Sequence, residues 1–247
     1  MKKAGATIFL LSIMCLTHAA EKLFLLAEDG FTDFLKNDFH RLALSVPEKY
    51  DSKLSAVPEK DTEPVLMISK KRGSEKYESV SFAVRGNLFF VNDRNPVKDF
   101  SPDELKQLLS GTFQRWSRTN VKLRQICYSG PENIMPSKLE KGAVPWVRFT
   151  DPAVALQMVA MDVTAVGILP LKDAALKVRG TKMLTVNGVA ATPETVMNGS
   201  YSGSVRYYLS LRKDAPPEVR KLYEKLNSKQ TKLKLMKAGF LPVIEGD

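Results

Sequence analysis

The chain has 247 residues, of which 44% are hydrophobic and 26% are charged, and its formal net charge is +10. The positive charge fits either a solvated basic surface or the attraction of an anionic partner, but it does not point to nucleic acid, because the densest basic cluster, Lys70-Lys71-Arg72, contains no aromatic residues. Cys15 and His18 lie within the first twenty residues, so the rest of the chain has only Cys127 and His40, too few for a multi-histidine or Cys-His zinc site.

The first twenty residues have the pattern of a secretory signal peptide. They combine a basic start, an apolar run and small residues at the end, and the apolar run is shorter than the ~20 residues that a membrane-spanning helix needs. A lipid anchor on Cys15 is not expected, because bulky Met14 stands where a small residue is required. We therefore expect an exported, soluble protein in which Cys127 is the single cysteine and no internal disulfide forms.

The first part of the mature chain predicts a strand, a helix, a loop and further strands, at 23–27, 31–42, 45–64, 65–69 and 79–92. Thr32 or Asp33 can cap the helix, because a side-chain oxygen at that position satisfies free amide groups of the first turn. The loop prediction depends on the polar composition of its segment and on its three prolines.

A second helix has unusually clear start and stop signals. Ser101 is the predicted cap, Pro102 occupies the first helical position, and Glu104 can complete a capping box. Gly111 is predicted to end the helix because glycine adopts a left-handed backbone without steric cost. The predicted buried stripe consists of Leu105, Leu108 and Leu109.

The remainder of the chain predicts alternating strands and helices. The segments are a strand at 121–129, a helix at 151–163, a strand at 164–171, a hairpin around Asn187-Gly188, a strand at 204–212 and one long helical region at 216–243. The helix at 151–163 has Val154, Met158 and Met161 among its apolar positions. Strands that alternate with helices indicate an α/β fold with parallel sheets.

Four segments, in this order, resemble the phosphate-binding, type 2 periplasmic binding proteins of bacterial ABC importers. They are residues 89–116, with a strand, a hinge, a capped helix and "SG…W"; 159–171, with "GILP"; 184–211, with "VNGV…GSYSGS"; and 219–243, with "AGFLPV". The resemblance covers about residues 80 to 243 and is poor over 21–79, where the chain is shorter than the usual member of this family.

This resemblance implies two Rossmann-like lobes joined by two crossing strands. Lobe 1 would comprise residues 21–92 plus 206–247, and lobe 2 residues 93–205, with a small anion held in the cleft between them. It further implies a periplasmic monomer that needs no cofactor, that captures phosphate or a related oxyanion, and that delivers it to an ABC permease in the inner membrane.

The resemblance also implies a ligand site. Family members hold a tetrahedral oxyanion with a Ser/Thr turn before the first helix, a Ser-Arg-like segment after the second strand, and an Arg…Ser-Gly-Thr segment in the second lobe, with amide groups, hydroxyl groups and a guanidinium as donors. The matching positions in this chain are Gly30, Thr32, Ser69, Lys70, Arg124, Ser129 and Gly130.

Two residues depart from the family pattern. Phe31 stands where a small polar residue is expected, and Thr32 beside it can equally be a plain helix cap. Pro131 replaces a threonine, which removes an amide donor and a hydroxyl together. Altered selectivity, weak binding and a lost site all stay open at this point.

Two functions of different class follow. The first is an exported solute-binding protein for phosphate or a related oxyanion. The second is a protein with the same fold that has lost its small ligand and acts as an accessory or interaction module. An enzyme is not expected, because no acidic residues form a recognisable set with a nucleophile or a metal site.

Overall fold

A computed structural model of the chain describes residues 21–27, 31, 34–35, 50–55, 63–119, 121–130 and 143–243. The strands of this part are β1 (Glu21–Ala27), β2 (Tyr50–Ser55), β3 (Leu66–Ser69), β4 (Tyr77–Asn92), β5 (Asp99–Phe100), β6 (Gln125–Tyr128), β7 (Trp146–Arg148), β8 (Ala165–Pro170), β9 (Thr181–Met183), β10 (Thr185–Val186), β11 (Ser204–Arg212) and β12 (Leu241–Pro242). The helices are α1 (Pro102–Ser110), α2 (Pro152–Met161), α3 (Pro193–Met197), α4 (Pro217–Leu226) and α5 (Lys229–Lys237). Within these residues, no helix has both the length and the apolar character needed to cross a membrane.

The main sheet has the strand order β2-β1-β3-β11-β4-β8-β6-β7, with β9 and β12 also paired to β4. Strands β1, β2 and β3 are parallel to one another, and so are β6, β7 and β8. Between these two parallel groups, β11 and β4 run antiparallel to their neighbours. The predicted α/β class with parallel strands is therefore confirmed.

Strand β4 connects the two parallel groups of strands. Its residues 77–86 pair with β11, and its residues 87–92 pair with β8 and β9. Buried side chains fall into two separate clusters, and β4 contributes to both: Phe82 and Ala83 belong to the first, whereas residues 88–91 belong to the second. The change from one core to the other thus lies inside β4, shortly before the predicted lobe boundary at residue 92, and the boundaries themselves stay predictions.

Helix α1 has the predicted ends. The Oγ of Ser101 accepts a hydrogen bond from the amide of Glu104 at 3.2 Å, and the Glu104 carboxylate accepts one from the amide of Ser101 at 3.0 Å, which completes the capping box. Gly111 has a φ of 78° and closes the helix in the left-handed conformation. Of the predicted stripe, Leu105 and Leu108 are buried, but Leu109 is 38% exposed and was predicted wrongly.

Strand β2 contradicts the prediction that residues 45–64 form a loop. It pairs in parallel with β1 over its whole length. A strand at the end of a sheet needs only one neighbour and can carry polar side chains, so composition alone did not indicate it. The predicted turn at Asn187-Gly188 is present, with φ values of 52° and 76° that favour these two residue types.

One predicted helical region also differs from the structure. The single helical region predicted at 216–243 is broken between α4 and α5, where the Oγ of Ser228 accepts a hydrogen bond from the amide of Thr231 and caps the second helix. In α2 the apolar residues Val154 and Met161 are exposed, and the buried face consists of Ala155, Leu156 and Val159. Because α2 is apolar around most of its circumference, its periodicity did not identify the face that packs on the sheet.

Candidate functional site

A cavity of about 410 Å³ lies where the parallel strands of the second core end. Its lining residues are Ser129, Gly130, Arg148, Phe149, Thr150, Pro152, Pro170, Lys172 and Asp173. Strands β6, β7 and β8 run in the same direction, so their carboxyl ends and the residues that follow them meet at one edge of the sheet. In open α/β sheets, this edge is where ligands bind.

Two of the residues predicted to bind a ligand line this cavity. Ser129 follows β6 directly, and its amide donates to the carbonyl of Ile168 in β8 at 3.1 Å, which fixes the backbone. The Ser129 side chain is buried, and its hydroxyl forms no hydrogen bond with the described part of the chain. Gly130 has a φ of 124°, a conformation that favours glycine. The strand geometry thus presents a hydroxyl and a tight glycine turn to the cavity.

The cavity carries more positive than negative side chains. Arg148, at the end of β7, and Lys172, just after β8, are both exposed, while Asp173 is half-buried beside them. Burial raises the pKa of Asp173 because it disfavours the charged carboxylate, and the nearby ammonium of Lys172 offsets part of that effect. The two cations give the cavity a positive potential, and this potential increases at low pH, where Asp173 becomes neutral.

Helix α2 begins at the cavity, but its amino end offers little to an anion. Its first residue, Pro152, has no amide hydrogen. The carboxylate of Asp151 already accepts a hydrogen bond from the amide of Ala153 at 2.8 Å and places a negative charge at the helix start. Recognition of an anion here would therefore depend on side chains and on the turn after β6, rather than on the helix dipole.

Arg124 lies away from the cavity. It comes just before β6, is exposed, and its amide donates to the carbonyl of Thr164, which precedes β8. An extended strand rises ~3.3 Å per residue, so the five positions between Arg124 and Ser129 separate their backbones by roughly 16 Å. The structure thus does not bring Arg124 together with Ser129 and Gly130, and Arg148 supplies the guanidinium at this edge instead.

The candidate residues of the first lobe follow β1 and β3, which also end at a common edge. Gly30 and Thr32 lie outside the described residues, as does Pro131 of the second lobe. Ser69 is buried at the end of β3 and donates its hydroxyl hydrogen to the carbonyl of Lys71 at 2.6 Å, whereas Lys70 is exposed. Ser69 would have to give up that hydrogen bond before it could donate to an anion.

Phe31 belongs to the core of the first lobe. Its side chain is fully buried, and its ring centroid lies 4.5 Å from that of Phe240 and 5.0 Å from that of Tyr207. The aromatic residue that departs from the family pattern therefore has a packing role. Gly239, in the carboxyl-terminal segment, lies against the side chain of Lys172, because a Cβ placed on it would be only 2.9 Å from Cδ of Lys172.

Sequence reasoning missed three charged residues of the cavity. Lys172 and Asp173 follow a strand that was predicted correctly, and their position after its carboxyl end was a usable signal. Arg148 had no such signal, because β7 is only three residues long and was not predicted. A search for polar residues just after the carboxyl ends of predicted strands would have identified Lys172 and Asp173, whereas the motif matches did not.

The described residues include a potential nucleophile, Cys127, outside this cavity. No group of three or more His, Cys, Asp or Glu residues is placed in the described part of the chain to hold a metal ion. Burial raises the pKa of the Cys127 thiol to about 11, and the charge of Asp162 adds to that shift, so the thiol is protonated at neutral pH and is a poor nucleophile.

No protein-family model matches the sequence, and no curated protein matches it. Solved structures do match its fold. A structure described as a possible phosphate binding protein from Planctomyces limnophilus has a TM-score of 0.65 and 14% identity, over 92% of this chain and 94% of that chain. An ABC-type phosphate transport receptor from Vibrio cholerae has a TM-score of 0.61 and 14% identity, over 89% and 99%. PstS from Borrelia burgdorferi has a TM-score of 0.60 and 12% identity, over 91% and 99%.

At sequence identities this low, the structural matches establish the fold but not the ligand. The chain has the fold of the type 2 periplasmic binding proteins, as the resemblance of its four segments predicted. The described structure agrees with this in its two cores, in the parallel strands of each, and in the antiparallel β4 and β11 between them.

Proposed function

We propose that this protein is an exported solute-binding protein that captures phosphate or a related oxyanion in the cleft between its lobes and delivers it to an ABC importer of the inner membrane. The observation that carries the proposal is the cationic cavity at the carboxyl ends of β6, β7 and β8. The cavity lies at the ligand-binding edge of an α/β sheet, in a fold that solved phosphate-binding proteins share. Export through residues 1–20 and the permease partner are part of the proposal.

Each lining group has a distinct part in the proposed binding. Arg148 offers a planar guanidinium that can donate two parallel hydrogen bonds to an oxyanion, and Lys172 adds a second positive charge. The hydroxyl groups of Ser129 and Thr150 donate further hydrogen bonds. Asp173 accepts a hydrogen bond from an oxyanion that carries a proton, and it repels one that does not. Phosphate, which keeps a proton near neutral pH, suits such a set better than sulfate does.

The sequence-based candidates extend this site in the proposal. Ser129 and Gly130 contribute directly, while Gly30, Thr32, Ser69 and Lys70 would approach the ligand from the first lobe when the cleft closes. Arg124 is proposed to have no contact with the ligand, because it precedes β6. Closure around a small anion would exclude water and strengthen each charge-assisted hydrogen bond.

Calorimetry with phosphate, sulfate and arsenate tests the proposal. We expect phosphate to bind at micromolar concentration or tighter. Arg148→Ala should weaken binding by about 1.5–3 kcal/mol, the usual scale for hydrogen bonds to a charged group. Arg124→Ala is the matched control, because it removes an arginine side chain at the opposite edge of the same sheet. We expect its phosphate affinity to be unchanged. An equal loss in both variants would mean that overall charge, rather than this cavity, attracts the anion.

The alternative is a protein of the same fold that has lost its ligand and acts as an accessory or interaction module. The observations in its favour are Pro131, which removes a donor from the second-lobe segment, and the poor resemblance of residues 21–79 to the family. Absence of binding to all three anions, in protein shown to be folded by its circular dichroism, would favour this alternative.

A further inference from the structure

Helix α5 presents a surface that the proposed anion site does not use. The surface, called here the lysine face, consists of Lys229, Lys232, Lys234 and Lys237 with the apolar residues Leu233 and Met236. Leu233 and Met236 are each 55% exposed. The opposite side of the helix is fixed to the protein through buried Leu235 and Thr231, whose hydroxyl donates to the carbonyl of Lys225 at 2.8 Å.

Helical spacing puts the apolar side chains in the middle of the positive charges. Leu233 lies four residues from both Lys229 and Lys237 and three residues from Met236, so these four side chains are neighbours on the helix surface. The helix contains no acidic residue. None of its four lysines forms an ion pair in the described part of the chain. The positive charge of this face is therefore not compensated locally.

We propose that the lysine face is a docking surface for a lipid bilayer that contains anionic headgroups. Lysine ammonium groups would contact lipid phosphates, while the tips of Leu233 and Met236 would enter the boundary between headgroups and acyl chains. The charge complementarity favours an anionic surface, and the apolar centre favours a bilayer over a purely polar anionic partner. The contact is reversible and peripheral, because the buried side of α5 stays in the protein core.

This inference is tested by the amount of protein that sediments with lipid vesicles, measured on the protein as isolated from the cells that express it. We expect binding to vesicles of equal parts phosphatidylglycerol and phosphatidylcholine at low salt, and much weaker binding to phosphatidylcholine alone. High salt should reduce the binding, because the attraction is electrostatic.

Matched variants locate the contact. Each lysine near an anionic membrane strengthens partitioning about fivefold, so the double variant Lys229→Gln/Lys237→Gln should lower partitioning into the anionic vesicles roughly 25-fold. The control Lys106→Gln/Lys122→Gln makes the same change in net charge at exposed positions of the second lobe. It should lower the partitioning about twofold at most, because those charges lie away from the membrane. Leu233→Ser/Met236→Ser should lower it about tenfold through lost apolar burial.

Three results would overturn the proposal. They are no binding to the anionic vesicles, equal losses from the two lysine pairs, and unchanged binding of Leu233→Ser/Met236→Ser. Binding to polyglutamate without binding to the anionic vesicles would likewise overturn it and would point to an acidic protein partner. Phosphate affinity should be the same in all these variants, so this test and that of the proposed function can fail separately.

Discussion

The two lobes use similar parallel strands but place different side chains beyond the strand ends. In the second lobe, Ser129, Arg148 and Lys172 follow three neighbouring strands and line one cavity. In the first lobe, the described residue that follows β1 is Phe31, and its ring packs among aromatic residues of the core. Among the described residues, the clearest ligand-binding chemistry is therefore in the second lobe.

This difference has a physical consequence for how each lobe tolerates change. A buried aromatic ring at the start of a helix stabilises its lobe through apolar burial but offers no hydrogen-bond donor. Exposed cations at strand ends add little to stability. Substitutions at Phe31 should consequently affect folding, whereas substitutions at the cavity should affect binding.

Phe31→Ala should have the largest effect on stability. Removal of a fully buried phenylalanine leaves a cavity and loses contacts with Phe82, Tyr207 and Phe240. We expect the free energy of unfolding to fall by about 3–5 kcal/mol, measured by urea denaturation. Phe34→Ala is the control in the same helical segment, and its half-buried ring should cost less than about 2 kcal/mol.

The phosphate affinity of the folded fraction of Phe31→Ala shows whether Phe31 only packs in the core or also contacts the ligand. If Phe31 only packs, the affinity should change less than it does in Arg148→Ala. A variant that folds normally but loses phosphate binding would contradict the assignment of Phe31 to the core, and with it the contrast between the lobes.

Glu104→Gln should have the next largest effect, in the second lobe. The Glu104 carboxylate accepts hydrogen bonds from the amide and hydroxyl of both Ser101 and Ser117, at 2.6–3.1 Å. Neutralising it should cost about 1.5–3 kcal/mol of stability, the scale of hydrogen bonds to a charged group. Asp103→Asn, in the same helical turn but exposed, should cost less than about 1 kcal/mol.

The pH dependence of unfolding gives the same prediction an independent test. Burial alone would raise the pKa of Glu104, but hydrogen bonds from Ser117 and Ser101 outweigh it and lower the pKa below its usual value. A lowered pKa means that the stabilisation is present above the ordinary pKa of glutamate and is lost as the pH falls through the lowered one. Glu104→Gln should flatten that part of the stability curve, and an unchanged curve would show that Glu104 is not its source.

The sequence predicted best the features that depend on local rules. The capping box of α1, the end of that helix at Gly111 and the turn at Asn187-Gly188 each need only residues close in the chain. Strand β2 was missed because it is held by pairing with β1, a contact that its polar composition does not indicate. The conformation of β2 is therefore determined by its pairing in the sheet and not by the strand propensity of its residues.

The candidate site was predicted less well, for a related reason. Ser129 and Gly130 were identified through a resemblance and do line the cavity. Arg124 was assigned with them through the same resemblance, but a strand lies between them and extends the chain. Arg148 and Lys172 come together with Ser129 only through the order of β6, β7 and β8 in the sheet, which a single sequence does not reveal.

Tyr201→Phe tests the junction between the two lobes and should have a smaller effect. Tyr201 is fully buried, and its hydroxyl donates to the carbonyl of Asn87 at 2.7 Å, at the point where β4 leaves β11. Loss of this donor should cost about 1–2 kcal/mol in urea denaturation. Tyr208→Phe, whose hydroxyl forms no hydrogen bond within the described residues, should cost less than about 0.5 kcal/mol. Equal costs would mean that the hydroxyl of Tyr201 does not stabilise the junction.

Asp173→Asn should have the smallest effect and bears on selectivity. Because burial raises the pKa of Asp173, its carboxylate favours the neutral form more than an ordinary aspartate does. Its charge still repels a fully ionised anion at neutral pH, so Asp173→Asn should strengthen sulfate binding about threefold, within the range of exposed charge pairs. Phosphate binding should change less, because its proton can donate to either side chain. Asp103→Asn controls for net charge.

The pH profile of sulfate binding fixes the sign of this effect. In the unmodified protein, sulfate affinity should rise as the pH falls through the raised pKa of Asp173, since the repulsion is then removed, and Asp173→Asn should show no such rise. Stability should follow the same direction: the contribution of Asp173 is present below its unfolded pKa and is lost as the pH rises through the folded one. A parallel profile in both proteins would place Asp173 outside the electrostatics of the cavity and leave Arg148 and Lys172 as its charged groups.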